Sequence, residues 1–148
     1  VSLIGTAAAM TVGPDLLKAA EANDAAAVDM VSIWGLGFRA ELGGNTAPGL
    51  WMHGGAERVL QAAAPGVLFN DLNACNAYQD ALEAAGRITA PVTLVLGERD
   101  MMTPAKAGRA LAAALPQART VVLRGAGHMM MVERPDEVLA TLRAQAAA

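Results

Sequence analysis

The stretch PVTLVLGERDMMTPAKAGRALAAALPQARTVVLRGAGH, residues 91–128, decides the fold class. Its first part, residues 91–100, is a run of leucine and β-branched residues that ends in a glycine turn, which is typical of a buried strand. A helix with Pro104 at its start follows, and then comes a second apolar run with its own glycine turn. Residues 134–145 predict a closing helix. Strand, helix, strand and helix with short turns between them predict a parallel α/β sheet.

The N-terminal part of the chain adds one strand and a helical insertion. VSLIG is a short apolar run ending in glycine, so residues 1–10 predict a core strand and a loop. Residues 11–86 contain no convincing strand and predict helices inserted between two strands of the sheet, with residues 87–148 as the C-terminal α/β core segment. Pro14 suits the first turn of a helix, and Asp24 can cap the next one. The predicted segments of the insertion are helices over 14–22, 24–34, 56–64 and 67–85, and a loop over 35–55.

Two titratable residues follow neighbouring strands of this predicted sheet. Asp100 follows TLVLGER, and His128 follows VVLRGAG. Functional groups gather at the carboxyl ends of parallel strands, and adjacent strands lie ~4.8 Å apart, so we expect the two side chains to meet. A carboxylate that holds an imidazole by its Nδ1–H, while the other ring nitrogen takes a proton from a nucleophile, performs acyl transfer. The alternative is a salt-bridged surface aspartate and a structural histidine.

Several motifs occur together in the order of a known family. The chain has Pro91 before the strand, a G-x-x-D turn ending at Asp100, Pro104 after it, G-x-G-H ending at His128, and E-x-P before the last helix. In these features it resembles the C-terminal portion of an α/β-hydrolase-fold enzyme, meaning the last strands of the parallel sheet with an inserted helical lid. The resemblance is good over residues 87–145 and weakest in the helical stretch. It implies that residues 11–86 are the lid or cap, that Asp100 is the triad acid and that His128 is the base.

The nucleophile of such an enzyme is missing from the chain. In this fold the triad order is Ser, then Asp or Glu, then His, with the serine in a G-x-S-x-G elbow. No such pentapeptide occurs, and the only serines, Ser2 and Ser32, fall in a predicted strand and a predicted helix. Cys75 falls in the predicted lid, where we expect a buried apolar role. The family's topology places the elbow before Val1, so we expect the C-terminal half of a hydrolase that is inactive alone. Its sheet would be completed by the N-terminal half of the same hydrolase or by another chain; without that partner we expect marginal stability or oligomers.

Aromatic and methionine residues are candidates for contact with a substrate. Trp34, Phe38 and Trp51 flank the loop of the predicted lid and are candidates for lining an apolar acyl pocket, although the sequence favours ordinary lid packing. Met129 follows His128 directly and is a weaker candidate, because the methionines of this loop can simply pack beneath it.

Composition excludes several functional classes. A formal net charge of −3, with no basic cluster, argues against nucleic-acid binding. No apolar run approaches the ~20 residues that span a bilayer. Neither metal-ligand spacing nor a dinucleotide fingerprint is present, so we expect no metal and no organic cofactor. We expect a cytoplasmic protein that acts on a small-molecule substrate. The residues Glu133 and Arg134 are expected to cap or brace the final helix.

The leading interpretation is part of a serine hydrolase that cleaves an ester, amide or related bond by a Ser-Asp-His triad. The same fold hosts C–C bond hydrolases, epoxide hydrolases, dehalogenases and cofactor-free haloperoxidases, and the identity of the nucleophile would separate several of these. A second interpretation, from another class, is a non-catalytic fragment that serves in binding or assembly.

Overall fold

A three-stranded parallel sheet forms the centre of the chain. The computed structural model describes residues 1–41, 43–44 and 48–147. The strands are β1 (Ser2–Ile4), β2 (Thr93–Gly97) and β3 (Arg119–Leu123), in the order β1-β2-β3. Leu3 is opposite Leu94, and Val95 is opposite Val121. The predicted parallel α/β arrangement is therefore confirmed.

The elements between β1 and β2 are helical in the described residues. They are α1 (Pro14–Glu21), α2 (Ala25–Gly35), α3 (Phe38–Glu41), α4 (Met52–Gln61), α5 (Val67–Ala77) and α6 (Ala81–Gly86). We refer to α1–α6 as the inserted helices. Pro14 is the first residue of α1, and the Asp24 side chain accepts the Ala26 N–H at 2.9 Å to cap α2, so both predicted helix starts are confirmed.

Three of the predictions within the insertion are wrong. α3 lies inside the stretch predicted as a loop, of which residues 42 and 45–47 lie outside the described residues. α4 begins at Met52, before the predicted start, because the first turn carries Gly54 under the Trp51 ring. A Cβ on Gly54 would lie 2.2 Å from that ring, so the glycine admits the aromatic side chain rather than breaking the helix. The single helix predicted over 67–85 is two helices, because the backbone becomes extended at Tyr78.

The remaining helices cover the sheet. They are α7 (Ala105–Ala113), α8 (Met130–Glu133) and α9 (Pro135–Ala146). On one face of β2, Leu94 packs in a cluster with Leu111 and Leu115; on the other, Val95 packs with Met130 and neighbouring residues. Leu94 and Val95 have no exposed surface, and burial of such a side chain stabilises the fold by roughly 1.5–3 kcal/mol.

A separate apolar cluster holds the inserted helices together. Leu16 and Ala20 of α1, Ala27 and Val31 of α2, and Leu72 of α5 are buried against one another. The loops after β1, β2 and β3 meet at the carboxyl-terminal end of the strands. The inserted helices lie at this end of the sheet. Of the described helices, none has both the length and the apolar character needed to cross a bilayer.

Candidate active site

The turn after β2 fixes the Asp100 carboxylate. Its Oδ1 accepts the N–H groups of Met102 and Thr103 at 2.9 and 2.8 Å, which closes a tight turn before α7. The carboxylate is thereby held in one orientation, and Oδ2 remains for a partner outside the turn. Asp100 is buried, with only 1% of its side chain exposed.

The turn after β3 brings His128 to that carboxylate. The Nδ1 atom of His128 lies 2.9 Å from Oδ2 of Asp100, so the predicted contact between the two side chains is present. The turns are also joined by their backbones, since the Arg99 N–H donates to the Ala126 carbonyl at 2.8 Å. Within the part of the chain that the structure describes, Nε2 of His128 makes no hydrogen bond, and 31% of the side chain is exposed. An imidazole held through Nδ1 with Nε2 free is arranged to accept a proton.

Thr103 is a member of this cluster that the sequence interpretation missed. Its buried hydroxyl lies 2.7 Å from the Gly5 carbonyl, 2.9 Å from Oδ2 of Asp100 and 3.2 Å from Nδ1 of His128. The hydroxyl has one proton, so it donates to only one of the two oxygens at a time. It joins the end of β1 to the two turns that carry Asp100 and His128. The D-x-x-T spacing before Pro104 is the signal that could have identified it.

The end of β1 leaves room for the imidazole ring. Gly5 has a φ of +60°, and a Cβ there would lie 3.1 Å from Cε1 of His128. A larger residue would be strained in this conformation and would press on the ring.

The electrostatics of the pair keep Asp100 ionised. Burial raises the pKa of its carboxyl, but the hydrogen bonds from His128 and Thr103 and the charge of a protonated His128 outweigh that effect. The pKa of Asp100 is therefore lower than its ordinary value.

A pocket of about 250 Å³ opens beside His128, between the strand ends and the inserted helices. Trp34 of α2 lines it, as the sequence interpretation allowed, together with Cys75, which is half-buried rather than fully buried. No Asp, Glu, Lys or Arg is among the described residues that line this pocket. Its apolar lining consists of Met10, Val12, Leu16, Trp34, Leu72, Met101 and Met102.

The other candidate contact residues lie elsewhere. Phe38 is 70% exposed and lines a different surface pocket, beside Arg99 and Arg124. Trp51 is 71% exposed, at the start of α4. The Met129 side chain packs on Gly35 at the end of α2, where a Cβ would lie 2.7 Å from its methyl carbon.

Glu133 differs from its expected role. It was expected to cap or brace α9, but its oxygens accept the backbone N–H groups of Gly37 and Gly127 at 3.0 and 2.9 Å. Arg134 does brace that region, because it lies 3.6 Å from Glu137 in the first turn of α9 and donates to the Arg124 carbonyl at 2.8 Å.

Comparison with known proteins identifies the family. A model of the alpha/beta hydrolase family matches residues 3–141. The chain belongs to this family. A comparison with curated proteins gave no match.

Solved structures share the fold of this hydrolase-family chain. A thermophilic esterase is 27% identical, with a TM-score of 0.74 over 97% of this chain and 54% of its own. An enol-lactonase from Burkholderia xenovorans is 21% identical, with a TM-score of 0.81 over 100% of this chain and 56% of its own. A bromoperoxidase from Bacillus anthracis is 14% identical, with a TM-score of 0.82 over 100% of this chain and 58% of its own. The chain thus spans little more than half the length of these structures, and it matches the C-terminal part of the fold.

Proposed function

We propose that this chain supplies the acid and the base of a serine-type hydrolase that cleaves an ester, amide or related bond. The observation that carries the proposal is the contact of Asp100 Oδ2 with His128 Nδ1, at 2.9 Å, at the rim of an apolar pocket. In this mechanism Nε2 of His128 takes the proton of a serine hydroxyl as that oxygen attacks the substrate carbonyl, and then returns it to the leaving group. Asp100 holds the ring in the required tautomer and stabilises the imidazolium. The chemistry requires neither a metal ion nor an organic cofactor.

In this proposal the nucleophilic serine lies outside the 148-residue chain. Ser2 lies within β1 and Ser32 within α2, and neither has the strand-to-helix turn that exposes a nucleophile. The family's order places the elbow before the strand that corresponds to β1. The residues that carry it would also pair with the free edge of β1, either as part of the same polypeptide or as another chain.

The lining of the pocket supports a neutral, apolar substrate group. A charged group there would lose its hydration and would find no Asp, Glu, Lys or Arg among the described lining residues to replace it, which costs several kcal/mol. A solved structure named as an esterase and another named as an enol-lactonase favour a carboxylic ester as the scissile group. Residues 11–86 act as the lid in this proposal, and a cytoplasmic location is part of it.

Labelling with a fluorophosphonate probe tests the proposal. We expect no labelling and no turnover of p-nitrophenyl butyrate by the 148-residue chain alone. A polypeptide that also contains the residues encoded upstream of Val1 should label, and His128→Ala should abolish the labelling. This longer polypeptide should hydrolyse p-nitrophenyl butyrate faster than p-nitrophenyl hemisuccinate, whose acyl group carries a negative charge.

Two outcomes would contradict it. Turnover by the 148-residue chain that depends on His128 would show that the nucleophile lies within it. A longer polypeptide with an intact G-x-S-x-G motif that does not label would favour a non-catalytic role in binding or assembly.

A further inference from the structure

Glu133 is a buried carboxylate that the proposed proton transfer does not use. It lies at the end of α8, and only 6% of it is exposed. Its two oxygens bind two distant parts of the chain. Oε2 accepts the Gly37 N–H, which follows α2, and Oε1 accepts the Gly127 N–H, which precedes His128. One side chain therefore joins the inserted helices to the loop of the candidate base.

The two segments that Glu133 joins are in direct backbone contact. A Cβ on Gly127 would lie 2.4 Å from the Gly37 nitrogen, and a Cβ on Gly37 would lie 2.5 Å from the Gly125 carbonyl oxygen. The Met129 N–H also donates to the Gly35 carbonyl at 2.8 Å. Backbone packed this closely transmits a displacement of one segment to the other, because no side chain lies between them to absorb it.

We propose that Glu133 is a positioning residue that couples the inserted helices to the orientation of the His128 ring. Gly127 directly precedes His128, so the hydrogen bond to the Gly127 N–H fixes the Ala126–Gly127 peptide unit, one residue before the unit that leads into His128. The same carboxylate holds the end of α2, the helix that places Trp34 in the pocket. The coupling stands on contacts within this chain; only its consequence for catalysis rests on the proposed function.

Glu133→Gln in the isotopically labelled 148-residue chain tests the coupling by NMR. Glutamine keeps the length of glutamate but has one acceptor oxygen, and its NH₂ group would face one of the two backbone donors. We expect amide hydrogen exchange at Gly37 or Gly127 to accelerate about tenfold or more, as befits the loss of one buried hydrogen bond. The Nδ1–H signal of His128 should broaden, because the ring is then less firmly held against Asp100.

Glu98→Gln is the matched control. Glu98 accepts the Gly125 N–H at 2.9 Å, so it also binds the loop before His128. It is exposed, and this hydrogen bond joins the turn after β2 to the turn after β3 rather than to the inserted helices. We expect this variant to leave the Gly37 amide and the Nδ1–H signal unchanged.

Several results would overturn the proposal. One is a Glu133→Gln variant whose Gly37, Gly127 and Nδ1–H signals match those of the unmodified chain. Another is acceleration by one common factor at all amides, those of β2 included, since that is a loss of global stability alone. If the variant does not fold, the unmodified chain decides: both glycine amides should be protected, and an unprotected Gly37 amide contradicts the coupling.

The NMR result and the proposed function can fail separately. In the longer polypeptide, coupling predicts a lower kcat for Glu133→Gln with a smaller change in KM. A longer polypeptide with no turnover would refute the hydrolase proposal and leave the NMR evidence for coupling intact.

Discussion

At Asp100, the hydrogen bonds that orient the base also make stability depend on pH. The pKa of this carboxyl is lower in the folded chain than the ordinary value of about 3.9. A lowered pKa contributes stability that is present above the unfolded-state value and is lost as the pH falls through the folded-state value. We expect the free energy of unfolding to fall more steeply in the unmodified chain than in Asp100→Asn as the pH is lowered from about 5.

Urea denaturation at a series of pH values measures this difference. Glu133 has a pKa raised by burial and so contributes the opposite slope, with stability lost as the pH rises through that pKa. Glu133 is present in both proteins, so the difference reports Asp100 together with the smallest of the causes that raise the Glu133 pKa, the charge of Asp100 itself. Parallel curves for the two proteins would contradict the prediction.

Thr103 provides a second prediction for a single residue. Thr103→Val keeps the shape of the side chain but removes the hydroxyl that reaches the Gly5 carbonyl and Asp100. We expect a loss of about 1–3 kcal/mol in the free energy of unfolding, because the buried oxygen that accepts the hydroxyl proton is left without its donor. Thr103→Ser, which keeps the hydroxyl, should lose less. A serine variant that is less stable than the valine variant would show that the methyl group matters more.

The sequence predicts the contact between Asp100 and His128 because each follows a recognisable strand and glycine turn. It does not predict the surroundings of that pair. Thr103 binds a carbonyl 98 positions away, and Glu133 binds an amide 96 positions away. In both cases the partner is a backbone atom. Backbone atoms are nearly the same in every residue type, so no residue in the sequence indicates the contact. Such contacts follow only from the packed fold.

Among the elements, the division between α5 and α6 shows where periodicity misleads. Leu68, Leu72 and Cys75 have helical spacing, and Leu82 continues it in the sequence. Yet Leu72 is buried among the inserted helices, whereas Leu82 is 52% exposed. Ala85 of α6 packs with the helix that covers β2. The chain turns at Tyr78 because its two halves belong to different cores, and a one-dimensional pattern does not record which core a residue joins.

The contact between the end of α2 and the His128 loop gives a prediction for an element. Gly37→Ala would place a methyl group 2.5 Å from the Gly125 carbonyl oxygen, and backbone on both sides cannot yield cheaply. We expect a loss of about 1–3 kcal/mol, the usual cost of overpacking. Gly55→Ala is the control, because nothing lies within 4 Å of its Cβ position inside α4. It should be neutral or stabilising, since alanine favours helix. Thermal or urea unfolding of both variants measures the contrast, and similar losses would contradict it.

For the whole molecule, the decisive feature is the edge of the sheet that β1 forms. Within the described residues, β1 pairs only with β2. The Val1 carbonyl and the Gly5 N–H bond to β2, so the alternation of a strand directs the backbone groups of Ser2 and Ile4 to the other side. An unpaired row of this kind is a template for another strand. The proposed partner that carries the nucleophile would occupy this edge.

Without that partner, we expect the edge to pair with other copies of the chain. Sedimentation velocity at micromolar concentration should show species larger than 15.1 kDa. Ser2→Pro removes an outward N–H at the first position of the strand, where proline is tolerated, and should shift the distribution towards monomer. Ser2→Thr keeps the N–H and should not. Because neither substitution removes a bond to β2, circular dichroism should report the same secondary structure for both. Equal association of the two variants would mean that the chain associates through a surface other than β1, and the sheet edge would then lose its place in the proposal.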